Sequence, residues 1–120
     1  MDKDRIVTLL KYKRWIDSET LKSLTAIDDT ADAGKRHLML RLMNHIYVVD
    51  RIFEANMSGE PHGYTALNTP EIPTAEALEA SMTACTERYI QRVSRHDARR
   101  CRRGHQLHLC RRRPRRDARQ

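Results

Sequence analysis

Aromatic residues are scarce in this chain: Phe53, Trp15 and four tyrosines are all it has among 120 residues. With an apolar share of 39%, that excludes a thick hydrophobic interior, and the length suits one lean domain. No apolar run approaches the roughly 18–20 residues of a membrane span. The opening "MDKDRIVTLL" has acidic residues beside its lysine and no apolar core long enough for a signal peptide, so the expected compartment is the cytoplasm, with no membrane partner. Three cysteines, Cys85, Cys101 and Cys110, are scattered without a C-x-x-C pair, which excludes a disulfide framework and a zinc ribbon. There is no phosphate-binding glycine loop, no Ser-His-Asp order and no evident carboxylate couple for acid–base catalysis.

Charge is plentiful but unevenly placed. Residues 95–120 hold eleven Arg against two Asp, a net +9, while residues 1–94 hold twelve Lys and Arg against fourteen Asp and Glu, a net −2. A faintly acidic body therefore precedes an intensely basic tail, with the break near Val93.

The body reads as all-α. A first helix is expected from about Asp4 to Ile27, carried by Ile6, Leu9, Leu10, Ile16, Leu24 and Ile27, with Asp2 and Asp4 at its positive end. "DDTADAG", with Asp28, Asp29 and Asp32, is a polar, solvated connection. The second helix, about Lys35 to Met57, has the clearest pattern: Leu42, Ile46, Val49, Ile52 and Phe53 recur at steps of three and four, and Gly59 and Pro61 stop it. Residues 59–73 form an irregular crossover rich in Gly and Pro. Thr74 can cap a third helix whose stripe is Leu78, Met82, Cys85 and Tyr89, and which fades at Ser94. Met39, Met43 and Met82 read as core filler. Three amphipathic helices make most of a four-helix bundle. The tail, with Leu107 and Leu109 as its large aliphatics, cannot supply the fourth stripe. Residues 1–94 are thus expected to be a partial bundle and 95–120 an unfolded, basic tail. Apolar faces left open should make the chain molten or self-associating.

His45 falls on the apolar stripe of the second helix, so its ring should point into the core. Two readings stand: an interior imidazole bonded to a backbone carbonyl or neighbouring side chain, or a metal ligand projecting into the bundle. His37 and His62 read as a helix-surface and a loop residue.

Tyr12 and Trp15 on the first helix, the run Asn44, His45, Asp50, Arg51, Ile52, Phe53 on the second, and the closing Ser58-Gly59-Glu60-Pro61 together resemble the DinB/YfiT-like family of bacterial helical-bundle proteins over about residues 5–93. That resemblance implies a four-helix bundle in which His45 is the first of three histidine ligands to a divalent metal, zinc or nickel. The other two would come from an H-x-x-x-H on a fourth helix. It further implies that Tyr12 and Trp15 pack near the site and that Asp50 is structural or supports the ligand from behind. Its activity class would be a thiol-dependent transferase or hydrolase-like reaction on a low-molecular-weight thiol. The pattern breaks in the tail. His105 and His108 are three apart, His96 is nine residues earlier than His105, and arginines surround the pair, opposing a cation. The expectation is a chain with an incomplete site, not tightly binding metal and inactive.

The tail admits two further readings. As a polycation it would bind nucleic acid non-specifically through phosphates, as part of a non-enzymatic helical module. Alternatively, residues from about Arg95 are the family's helix-three-to-four region in a shifted reading frame: one nucleotide forward, CGN arginine codons become GNN, which encode Val, Ala, Asp, Glu or Gly. A last reading is a metal-free partner that pairs its open bundle with a copy of itself, a homo-oligomer.

Overall fold

A computed structural model describes residues 2–102 apart from 29, 32 and 33, and side chains as far as Arg95. Its described residues form three helices and no strand: α1 (Lys3–Leu24), α2 (Lys35–Ser58) and α3 (Ala75–Arg102). The all-α expectation holds for these residues, and no helix among them is long and apolar enough to cross a membrane.

Local chemistry sets each boundary. Asp2 caps α1 by accepting from the Arg5 amide at 2.8 Å, the carboxylate also suiting the positive helix end. α1 ends at Leu24, three residues before the expected Ile27, because Thr25, Ala26 and Ile27 donate three residues back to Lys22, Ser23 and Leu24 and tighten the chain into a turn. Asp28 then orders the connection, accepting from the Thr30 amide at 3.0 Å and hydroxyl at 2.7 Å. Those bonds favour its charged form and hold its carboxyl below the ordinary carboxylate range. α2 stops at Gly59, whose φ of 72° is left-handed. The Glu60 amide closes the motif by reaching Ala55 O at 2.9 Å. Thr74 caps α3 as expected, its hydroxyl accepting from the Ala77 amide at 3.1 Å.

α3 corrects one boundary. It runs on to Arg102, beyond Ser94 where its apolar pattern fades. Arginine is a good helix former, so backbone helix outlasts the buried stripe. Residues 95–102 are therefore helical and not unfolded, while 103–120 lie outside the described residues.

Lys13 of α1 meets Asp50 of α2, and Arg36 at the start of α2 reaches Ile27 O just past α1, so these helices are antiparallel. Arg14 and Ser18 of α1 bind Glu87 and Glu79 of α3 in reversed order, which is antiparallel again. Asp50, Glu54 and Ser58 instead meet Tyr89, Arg88 and Arg92, so α2 and α3 run parallel. A parallel pair needs a long return, which residues 59–74 provide.

The core gathers where the end of α1 meets the starts of α2 and α3. Leu21, Leu24, Met43, Leu78 and Met82 form it, with Ile27, Leu40, Tyr47 and Ala75 packed around. Each large side chain buried there contributes roughly 1.5–3 kcal/mol. Met39, expected to fill the core, is 39% exposed.

Candidate functional site

The helix that carries His45 buries the face opposite to the one its pattern advertises. Met43, Asn44 and Val48 are buried, whereas Leu42 is 55% exposed, Ile46 38% and Phe53 59%. The core-facing expectation is therefore corrected for Leu42, Ile46 and Phe53, while Val49, Ile52 and the His45 ring are half-buried. Val48 and Asn44 are covered from within the chain, but no described element lies across Leu42, Ile46 and Phe53.

The covering contact is polar. Asn44, 1% exposed, donates to Asn68 Oδ1 at 2.5 Å and Thr69 Oγ1 at 2.8 Å. Asn68 donates onward to Arg41 O at 3.0 Å, and the Thr69 hydroxyl reaches Glu71 O at 2.7 Å. A buried amide has to be satisfied, and this one is satisfied only if the crossover folds back over α2. That fold brings Leu67 alongside His45, whose Nδ1 lies 2.6 Å from Leu67 O. A carbonyl only accepts, so Nδ1 carries a proton, and in the neutral ring the lone pair is on Nε2. The ring stands on an open groove of about 380 Å³ bounded by Leu38, Arg41, Leu42, Ala66, Leu67 and Asn68.

Tyr12 and Trp15 lie on α1 with ring centroids 5.9 Å apart, and are 58% and 56% exposed. Between α1 and α2 sits an ion cluster: Lys13 Nζ is 2.7 Å from Asp17 and 2.9 Å from Asp50. Burial disfavours the Lys13 charge, but the bonds to Asp17 and Asp50 outweigh it and raise its pKa. Burial raises Asp50 despite Lys13, and the Asp17 carboxylate adds to the rise. One ammonium shared by two carboxylates leaves a surplus of negative charge. The Asp50 carbonyl also accepts from Tyr89 Oη at 2.5 Å, so this residue ties α2 to both other helices.

A second polar centre joins α2 to α3. Arg88 forms a two-point pair with Glu54, at 2.6 and 3.1 Å, and this pairing lowers the Glu54 pKa more than burial raises it. Cys85 Sγ lies 3.6 Å from Glu54. Burial, reinforced by that carboxylate, pushes its thiol up to about 11. A thiol so protonated at neutral pH is a small core group and not a nucleophile. The polar links between elements had no sequence signal, because each joins residues at least 22 positions apart.

Among the described residues no three His, Cys, Asp or Glu side chains converge on one point. His37 is exposed on α2, and His62 sits in the crossover, accepting from the Tyr64 amide at 3.0 Å. His96, His105 and His108 lie outside the described side chains. No protein-family model, curated protein or solved structure matches the chain.

Proposed function

We propose that this chain is a DinB-like bundle protein holding three of the four helices and one prepared metal ligand, His45, without the company needed for a tight site. The observation that carries this reading is the Nδ1–Leu67 O contact at 2.6 Å. Metal-binding histidines usually donate their other ring nitrogen to such an oxygen, which fixes the tautomer and aims the lone pair outward. His45 is held in that manner on an open groove lined by α2 and the crossover. The donor set, however, does not suit zinc or nickel: tight sites take three or four protein ligands, and the described residues bring one. Calorimetry with zinc or nickel tests the reading. Binding should be weak and hardly changed by His45→Ala; one tight site lost in that variant would overturn it and restore the enzyme reading.

A second reading, a helical module that binds nucleic acid, is favoured by α3 itself. Arg92 and Arg95 lie three apart on one face, beyond the Arg88–Glu54 pair, and lead into the basic segment. Affinity for any DNA duplex should then fall steeply with salt, and residues 1–94 alone should lose most of it. Equal binding by both chains would remove this reading.

A further inference from the structure

The exposed apolar residues of α1 and α2 belong to one surface. Around α1, Arg14 and Ser18 lie to one side of Lys13 and reach α3, while Leu9, Tyr12 and Ile16 lie to the other side. Around α2, Glu54 and Ser58 lie to one side of Asp50 and reach α3, while Leu42, Ile46 and Phe53 lie to the other. Lys13 and Asp50 join the two helices, so both stripes flank that ion pair on the side away from α3. They line a single apolar trough. Leu9, Tyr12, Leu42 and Phe53 are 55–59% exposed and Ile46 38%, which at roughly 150–250 Å² for a large side chain leaves on the order of 500 Å² of apolar surface open. A patch of that size is at the upper end of what monomers expose and is often functional, and with its polar rim it approaches the roughly 800 Å² per partner of a standard interface.

The charges at the ends of the α1 stripe indicate what covers it. Arg5, Leu9, Tyr12, Ile16 and Glu19 follow one another at steps of four, three, four and three, so they form one seam along the helix. Tyr12 is its midpoint, with Arg5 seven residues before and Glu19 seven residues after. Both end residues are exposed, and among the described residues Glu19 has a loose contact to Lys22 at 3.8 Å. A two-fold interface requires that when one residue meets another across it, the reverse contact also forms. A seam with opposite charges at equal distances from a central aromatic meets that condition when laid antiparallel on itself. The Arg-rich residues 103–120 offer no comparable apolar stripe.

We propose that the trough is a homodimer interface, in which α1 packs antiparallel against α1 of a second copy with Tyr12 at the two-fold axis. Arg5 of each chain pairs with Glu19 of the other, and Phe53 of each α2 closes the side of the trough. The proposal is independent of any metal at His45.

Sedimentation of the full chain from low to high micromolar concentration tests it, with circular dichroism to check that each variant is folded. The wild type should form a dimer. Arg5→Glu or Glu19→Arg, each turning two attractive pairs into repulsive ones, should weaken it roughly ten-fold, and the double variant Arg5→Glu/Glu19→Arg should restore it. Tyr12→Glu should give a folded monomer. A wild type that stays monomeric, alone or held by another protein, overturns the proposal. So does a dimer indifferent to the single charge changes, or a double variant no tighter than the singles.

Discussion

The two faces of α2 differ in composition and in fate. One presents Asn44, Asp50 and Glu54 beside Leu40, Met43, Tyr47 and Val48, and the chain covers it. The other presents Leu42, Ile46 and Phe53, and water covers it. Burial here follows the availability of a partner. Asn44 finds Asn68 and Thr69, Asp50 finds Lys13, and Glu54 finds Arg88, so polar groups enter the interior with their bonds made. The apolar face has no described counterpart and stays open.

Removing partners from the covered face should cost most. Leu78→Ala, at a fully buried core position, should destabilise the chain by about 3 kcal/mol in a denaturant titration, through lost burial and the cavity left behind. Asn44→Ala comes next, at about 2 kcal/mol, because it strands Asn68 and Thr69 under the crossover. It should also release the crossover, seen as faster amide exchange over residues 64–71 and a shifted His45 ring resonance.

The two faces can then be set against each other directly. Val48→Ala should cost about 1–2 kcal/mol, more than Phe53→Ala, which removes a larger side chain from a position 59% exposed. Both titrations belong at dilutions where the chain is monomeric. Equal or reversed effects would mean that the open face is covered after all.

pH provides a smaller lever on the covered face. The folded pKa of Glu54 lies below its ordinary 4.5, so its pairing with Arg88 stabilises the fold above that value and is lost as pH falls through the folded pKa. Asp50 acts in the opposite sense. Its folded pKa is raised above 3.8, so its contribution is present in acid and is lost as pH rises through the folded value. Glu54→Gln should therefore lower stability by about 1 kcal/mol at neutral pH. It should also flatten the acid side of the stability curve; an unchanged acid slope would assign the acid response to other groups.

Much of this architecture is legible in the sequence, and what is not has a definite cause. The three helices are readable because each carries apolar residues at helical spacing, and Thr74 and Gly59 mark boundaries by chemistry that acts over a few residues. The extension of α3 to Arg102 escapes a reading based on apolar stripes, since arginine supports helix without needing burial. The buried face of α2 escapes it for a stronger reason. A periodic stripe shows that a helix has an apolar side, but whether anything covers that side depends on distant residues. The covered face was set by Asn68, Thr69, Arg88 and Lys13, none of which lies within a helical turn of its partner on α2. His45 follows the same rule: its place on the stripe is legible, but the crossover carbonyl of Leu67 that holds its ring is not.

The apolar stripes of α1 and α2 lie open in the single chain, and Trp15, the only tryptophan, sits beside them at 56% exposure. Collisional quenching of its fluorescence in the dilute monomer is the most direct measurement. The account predicts a red-shifted emission, readily quenched, that becomes shielded as concentration rises and the trough is covered. A blue-shifted, poorly quenched Trp15 in the monomer would contradict it.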